Sequence, residues 1–210
     1  MDTSTLLSSL AAAAIFLLVA FPLHEFSHAW AANMLGDRTA RYLGRLTLDP
    51  RVHFDPLGGA LLLLSALGGS FIVGWAKPTP VNPSNLRNGR QGEAWVALAG
   101  PLSNLIMAAL SAIPLRFLLA TGMYFDLPVL VANVLFDLTY FSVFLFMFNL
   151  LPIPPLDGYR VLTGLASPRL AWQLRQYEQY GFVLIIVIFL FGGRILVPIG
   201  NAIFDVLVGR

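Results

Sequence analysis

The sequence has 210 residues, of which 57% are hydrophobic and 11% are charged, with a net charge of +2 and a mean hydropathy of +0.75. Soluble domains average about 25% charged residues, so this composition predicts an integral membrane protein and excludes an ordinary soluble domain. The basic residues lie mostly in short loops, which indicates membrane topology and excludes a nucleic-acid surface. The absence of cysteine excludes disulfides and thiolate metal sites.

Four stretches of the sequence are long and apolar enough to cross a bilayer, for which about 20 residues suffice. They cover residues 6–35, 93–115, 127–151 and 180–208. The first residues lack the basic charges of a signal peptide, and cleavage would remove part of the first stretch. We therefore expect that stretch to remain as a membrane helix.

A fifth apolar stretch, residues 56–73, is interrupted by glycines. The overlapping residues 70–81 combine β-branched and aromatic residues with prolines, which predicts an extended segment. Two loops carry most of the arginines: Arg38, Arg41, Arg45 and Arg51 after the first span, and Arg160, Arg169 and Arg175 before the last. Basic loops face the cytoplasm. Both loops can do so only if residues 56–73 are re-entrant, which is the arrangement we expect.

These features predict the fold class. We expect an all-α polytopic membrane protein, a bundle of about four to six transmembrane segments. A re-entrant or β element lies between the first and second clear spans. The whole chain, residues 1–210, is expected to form a single domain, with a core at about 6–165 and a C-terminal membrane segment at about 179–208.

The sequence His24-Glu25-Phe26-Ser27-His28 lies inside the first apolar stretch. Residues four apart on a helix point the same way, because four residues nearly complete a turn of 3.6. Both imidazoles can therefore reach one zinc ion, and the glutamate between them can hold or deprotonate a zinc-bound water. Ionisable groups at membrane depth are costly and usually functional. The motif thus predicts a metal site and not a chance pair of histidines.

A catalytic zinc takes a third protein ligand and keeps one position open. His53 lies in a charged loop and is expected to be solvated. Glu93 and Glu178 lie at predicted span ends, where capping or interfacial charge explains them. Asp157 follows a proline-rich break, and a broken helix can present a carboxylate to a polar cavity. We prefer Asp157, because two neutral imidazoles, two carboxylates and Zn²⁺ then sum to zero charge.

Several motifs in this order resemble the site-2 protease family of intramembrane zinc metalloproteases, in its compact prokaryotic form without PDZ or CBS domains. They are HEFSH at 24–28, GRLTLDP at 44–50, HFDP at 53–56, GWAKP at 74–78, GPLSN at 100–104 and NLLPIPPLDG at 149–158. The matches span most of residues 20–165. Asp49 stands where an asparagine is commoner, and the tail after about Arg175 matches little.

The resemblance implies a role for each matched residue. His24, His28 and Asp157 would hold one Zn²⁺ per chain, and Glu25 would be the general base. Asn149 matches an asparagine associated with the substrate strand or the oxyanion. The expected site residues also include Asn104, which should face the active-site helix. Its role would be either to bind the substrate or oxyanion, or to pack between helices. The region 71–81 resembles a membrane-associated β segment that can offer an edge to an unwound substrate.

The resemblance also implies a function. The catalytic core at about 6–165 would hydrolyse peptide bonds within or near transmembrane segments of membrane-protein substrates, in regulated intramembrane proteolysis. The partners would be a single-span or membrane-anchored protein and the lipid bilayer, with no nucleic acid. The protein would be a multi-pass cell-membrane protein whose active site is accessible from the cytoplasmic side. The sequence assigns no substrate, no oligomeric state and no role to Asp137.

Three other interpretations fit parts of the sequence. A catalytically silent scaffold or chaperone could keep the fold, but it would have little need of the intact Glu25. A zinc transporter would want polar residues along a whole pathway, whereas here they cluster at one level. A different membrane metalloprotease could use Glu178 as the third ligand, but the Gln- and Tyr-rich surroundings of that residue indicate an interface.

Overall fold

The computed structural model describes residues 3–68 and 74–210; the side chains of 3–6, 68 and 189 fall outside that description. The described residues form eleven α helices and no strand. In chain order these are α1 Thr3–Ile15, α2 Phe21–Met34, α3 Thr39–Tyr42, α4 Pro50–His53, α5 Pro56–Gly68, α6 Gly89–Thr121, α7 Val129–Asn149, α8 Asp157–Leu165, α9 Pro168–Arg175, α10 Gly181–Val187 and α11 Gly193–Val208.

Four helical runs are long and apolar enough to cross a membrane: Leu7–Met34, Gly89–Thr121, Val129–Asn149 and Leu190–Val208. They correspond to the four stretches predicted from the sequence; the ends differ by at most six residues, except that the last run begins ten residues later than predicted. The predicted all-α polytopic class is therefore confirmed.

The first span changes its helical geometry just before the histidine motif. Residues Phe16–Ala20 form one turn of π-helix between α1 and α2, and the N–H of Phe21 bonds to the carbonyl of Phe16. Pro22 lies at the start of α2. Proline has no N–H and its ring crowds the carbonyl four residues earlier, so a widened turn accommodates it without ending the helix. The span therefore continues as one rod through both histidines.

Helix α6 is the centre of the bundle, because it contacts α2, α7, α8 and α11. Its buried residues are mostly small: Gly92, Ala94, Ala97, Gly100, Ala108 and Ala112. Small residues let helix backbones approach closely in a membrane, where lipid is as apolar as leucine and packing drives association. This close approach places the face of α6 directly against the histidine motif on α2.

The chain between α2 and α6 begins and ends at the same point of the bundle. The N–H of Arg87, just before α6, bonds to the carbonyl of Leu35, just after α2. Helix α5 has 13 residues, about 20 Å at 1.5 Å per residue, which is short of a hydrocarbon core of about 30 Å. The apolar stretch is thus a short helix over its described residues, and its re-entrant path stays a prediction. Residues 74–82 are non-helical but form no strand. They include residues 74–81 of the predicted extended segment, whose residues 70–73 lie outside the described residues.

The prediction that His53 is a solvated loop histidine is wrong. The residue is only 2% exposed, and its Nε2 lies 2.7 Å from the carbonyl oxygen of Thr47. The backbone carbonyl of His53 accepts from the N–H of Lys77 at 2.8 Å. His53 therefore joins the loop at 44–50 to the segment at 74–82. The carbonyl of Thr47 offsets the cost of burying one imidazole nitrogen.

The C-terminal helices close the bundle on the side away from α2. After α8 and α9, helices α10 and α11 are joined by a π turn, Ile188–Gly192, so the helix continues across Gly192 and Gly193. Phe204 and Val208 pack with Leu115 of α6 in a buried apolar cluster. The last span thus packs against the central helix. None of its described residues lies at the histidine site.

Candidate metal centre

The two histidines of α2 face each other across one helical turn. Their Nε2 atoms lie 3.0 Å apart, and both side chains are buried. The i, i+4 spacing brings the rings together, and the packing of α2 against α6 fixes them. Nδ1 of His28 lies 2.8 Å from the carbonyl oxygen of Val96 on α6. A carbonyl only accepts, so Nδ1 carries the proton and Nε2 presents its lone pair toward His24.

Asp157 supplies the third group from a distant part of the chain. Its Oδ2 lies 3.1 Å from Nε2 of His24 and 3.3 Å from Nε2 of His28. The turns between α7 and α8, which include a cis bond between Pro154 and Pro155, deliver it as the first residue of α8.

The three ligand atoms fit a tetrahedral zinc. Within the part of the chain that the structure describes, His24, His28 and Asp157 form the one group of three metal-binding side chains that could hold an ion. Their atoms are separated by 3.0 to 3.3 Å. Zinc–ligand bonds of about 2.0–2.1 Å in tetrahedral geometry require separations of about 3.3 Å. Three protein ligands and one open position are the pattern of a catalytic site.

Glu25 lies next to the ligands and is held by a segment far away in sequence. Its Oε2 accepts from the backbone N–H of Thr79 at 2.7 Å, and its own carbonyl accepts from the Thr79 hydroxyl at 3.0 Å. Both residues are buried. Thr79 stands between Pro78 and Pro80, which have no N–H, so it provides the N–H at this point of the segment. No sequence motif indicates this contact.

One face of α6 backs the site. Adding a Cβ at Gly100 would place it 2.3 Å from Nε2 of His28, so glycine is what allows this approach. Asn104, one turn further, is fully buried, and its Nδ2 lies 3.0 Å from Nδ1 of His24. Glu93, near the start of the same helix, lines the cavity in front of the site and is more than the end-of-span charge expected from the sequence. The spacing of Glu93, Gly100 and Asn104 in the sequence places all three on one face of the helix. This spacing is the sequence feature that could have indicated Glu93 as a site residue.

A cavity of about 140 Å³ opens onto the ligands and Glu25. A second cavity, of about 540 Å³, adjoins it and shares four lining residues: Val81, Glu93, Pro155 and Arg160. Asn149 also lines the first cavity, where its Nδ2 donates to the carbonyl of Leu145 at 2.9 Å. A cavity needs only about 10–15 Å³ per water, so both have room for several water molecules.

The other candidate ligands lie elsewhere. His53 is not part of the ligand group, and Glu178 is exposed and accepts from the hydroxyl of Tyr159 at 3.2 Å. Burial, together with the Glu178 charge and hydrogen bond, raises the pKa of Tyr159 to about 12, so this tyrosine stays neutral at the rim of the second cavity. Asp137 lies on α7 and belongs to no group of three metal-binding side chains among the described residues.

Comparison with known proteins identifies relatives along most of the chain. A Bacillus subtilis protein named "Putative zinc metalloprotease YwhC" is 40% identical over 196 residues, which cover 90% of this chain and 85% of that protein. A Mycobacterium tuberculosis protein named "Putative zinc metalloprotease Rip2" is 38% identical over 82% of this chain and 64% of its own length.

A more distant relative is archaeal. The zinc metalloprotease MJ0392 of Methanocaldococcus jannaschii is 24% identical over 85% of this chain and 42% of its own length. No protein-family model matches the chain, and no solved structure matches it. The names of the relatives and the geometry of the three ligands agree on zinc as the metal.

Proposed function

We infer that this chain, which belongs to the site-2 protease family of zinc metalloproteases, cleaves other membrane proteins within or next to their transmembrane segments. The observation that carries the proposal is the depth of the metal group. His24 and His28 lie inside the span Leu7–Met34, about 15 and 9 Å of helix from its end at 1.5 Å per residue. A hydrolytic group at that depth has access to peptide bonds inside the bilayer.

The chemistry follows from the positions of the protein groups. Zinc, when bound, supplies Lewis-acid polarisation of the scissile carbonyl and of a water molecule. Glu25 accepts the proton of that water and returns it to the leaving amine. Thr79 holds the carboxylate through the 2.7 Å bond from its N–H. Asn149 lines the same cavity, and we assign it to the substrate carbonyl or strand, as its match in the sequence implies.

The substrate must present an unwound segment, because a transmembrane helix uses its own peptide groups for hydrogen bonding. Pro78, Thr79 and Val81 border the catalytic cavity in a non-helical part of the chain. We propose that the unwound stretch of substrate lies along this segment, with its scissile carbonyl toward the ligands. Single-span or membrane-anchored proteins with helix-breaking residues are the expected substrates.

Water and the cleaved ends need a polar route. The second cavity provides one, because its lining includes Glu93, Arg160, Arg175 and Glu178. We propose that this route opens to the cytoplasm, because α6 starts beside the end of α2, where the arginine-rich loop begins, and such loops face the cytoplasm. The protein would then be a multi-pass membrane enzyme with its site accessible from that side.

The test separates the base from the ligands. In detergent-purified protein, Glu25→Gln should keep zinc and lower cleavage of a model transmembrane substrate by at least about a hundredfold, the usual contribution of a general base. His24→Ala and Asp157→Ala should lose both zinc and cleavage, because each removes one of three ligands. Zinc content is measured by elemental analysis and cleavage by the mass of the products.

Two results would contradict the proposal. Undiminished cleavage by Glu25→Gln would remove that residue from the role of base. Stoichiometric zinc in the wild type without cleavage of any transmembrane substrate would favour the scaffold function. Asp49→Asn serves as the control, because Asp49 pairs with Arg51 on the surface and touches no ligand.

A further inference from the structure

We infer that Asn104 is the hydrogen-bond acceptor that fixes the tautomer of His24 and orients its ring for the metal. The inference rests on the zinc site of the proposed function and makes Asn104 a positioning residue of that site. It differs from a substrate or oxyanion role, in which the amide would contact the substrate directly.

The starting observation is a mismatch at a buried amide. Nδ2 of Asn104, a donor, faces Nδ1 of His24 at 3.0 Å. Oδ1 of the same amide is buried and has no hydrogen-bond partner among the described residues. Asn104 is 0% exposed, so bulk solvent does not reach this oxygen. An unsatisfied buried acceptor costs on the order of 1–3 kcal/mol, and this one requires an explanation.

The chemistry of a metal-bound imidazole supplies the explanation. A neutral imidazole carries one proton. Nε2 is the atom of His24 that faces Asp157 and His28, so with a metal at Nε2 the proton must be on Nδ1. Nδ1 then donates, and only an oxygen can receive the bond. A half-turn of the Asn104 amide places Oδ1 at Nδ1 and gives the unsatisfied oxygen its donor.

His28 supports the same arrangement. Its Nδ1 faces the backbone carbonyl of Val96, on the same helix as Asn104. Helix α6 therefore provides one oxygen acceptor to each histidine, a carbonyl for His28 and the amide oxygen of Asn104 for His24. Outer hydrogen bonds of this kind fix the tautomer and ring orientation of metal-binding histidines. Asn104 does not line the catalytic cavity, which argues against contact with substrate.

The experiment measures zinc affinity by competition with a chelator in the full-length detergent-solubilised protein. Asn104→Leu keeps the size of the side chain and removes the acceptor, so zinc affinity should fall about ten- to hundredfold, as for other outer partners. Asn104→Asp can accept but not donate at Nδ1, so its affinity should stay within about threefold of wild type. Ser103→Ala is the control, because Ser103 is a buried neighbour on α6 whose hydroxyl donates to the Gly100 carbonyl.

The outcomes separate this inference from the proposed function. Wild-type affinity in Asn104→Leu would overturn the inference and leave the zinc peptidase intact. A loss of zinc affinity in Asn104→Asp as large as in Asn104→Leu would overturn it as well, because an acceptor at this position would then give no advantage. If Asn104→Leu fails to fold, Asn104→Asp alone decides. A wild-type protein without zinc would overturn both conclusions.

Discussion

Gly100 shows how one missing methyl group makes room for a metal. Its α-carbon faces both histidines, and an added Cβ would lie 2.3 Å from Nε2 of His28 and 2.7 Å from Cε1 of His24. Both distances are far below normal contact, and the histidine rings are held by Val96 and Asn104 behind them. The ligand atoms would have to move apart.

Gly100→Ala should therefore lower zinc affinity by at least about tenfold and lower cleavage in proportion, while α6 itself remains helical, because alanine is a better helix former than glycine. The matched control is Gly193→Ala, since Gly193 is helical and a Cβ there meets nothing within 4 Å. Zinc competition and circular dichroism measure the two effects. Unchanged affinity in Gly100→Ala would show that the α2–α6 approach is looser than the structure has it.

Asp37 performs a structural task just outside the first span. Its carboxylate is fully buried and accepts from Thr39, from the N–H of Asn82 and from the side-chain amide of Asn85. It ties the end of α2 to the chain that leads into α6. Burial opposes its charge, but these hydrogen bonds prevail and lower the pKa of the Asp37 carboxyl.

Asp37→Asn should lower the free energy of unfolding by about 1–3 kcal/mol, because an amide nitrogen would face a donor in place of an oxygen. The folded pKa is below the unfolded value of about 4. The contribution of Asp37 is therefore fully present above that pH and is lost as the pH falls through the folded pKa. Thermal unfolding of variant and wild type at about pH 7 and about pH 3 measures this contribution. The difference in stability between the two proteins should be smaller at the lower pH. An equal gap at both pH values would contradict the role of its charge.

The segment 74–82 illustrates how a non-helical element can complete a site in a helical protein. It is fixed at three points, through Lys77 to the carbonyl of His53, through Thr79 to Glu25 and through Asn82 to Asp37. Non-helical backbone at membrane depth is tolerated where protein surrounds it. The buried His53 thus has a physical function as a support for the segment that holds the base.

Thr79→Val keeps the N–H but removes the hydroxyl bond to Glu25, so we expect kcat to fall about two- to tenfold, the equivalent of one ordinary hydrogen bond. KM and zinc content should not change, because Thr79 touches neither histidine ligand. Thr79→Ser restores the hydroxyl and should restore kcat. A loss of kcat in Thr79→Ser with none in Thr79→Val would indicate a packing role for the methyl group instead.

The path of the chain through the membrane follows from one junction. Because Arg87 bonds back to Leu35, the excursion between α2 and α6 begins and ends at the same level. Helix α8 packs near the start of α6, where a Cβ on Gly164 would meet the Arg90 carbonyl. The loops around α3 and α8 therefore share one side of the bundle, and the turn between α6 and α7 lies on the other.

The natural absence of cysteine makes this topology testable. Single variants Tyr42→Cys on α3 and Trp172→Cys on α9 should both react with a membrane-impermeant thiol reagent from the cytoplasmic side. Phe125→Cys, between α6 and α7, should react from the opposite side. All three side chains are exposed. Labelling of Tyr42→Cys and Trp172→Cys from opposite sides would mean that α5 crosses the membrane.

Much of this protein follows from patterns that are local in the sequence. Runs of apolar residues longer than a bilayer determine the four spans, and an i, i+4 pair of histidines on a helix must converge on one point. The need for a third ligand and a neutral site favours Asp157 on sequence grounds alone, and the fold brings its carboxylate to both histidines.

The partners that support the ligands are decided only by tertiary structure. Three of these contacts involve backbone groups: the carbonyl of Val96, the N–H of Thr79 and the carbonyl that accepts from the buried His53. Nearly every residue type has such groups, so these contacts cannot be predicted from residue identity. Asn104 is a candidate hydrogen-bond partner by its residue type, but the sequence does not show which atom of its amide faces His24. Periodicity and composition along one helix are properties of the sequence. The choice of acceptor for each nitrogen depends instead on which segments, 54 to 80 residues apart, pack against that helix.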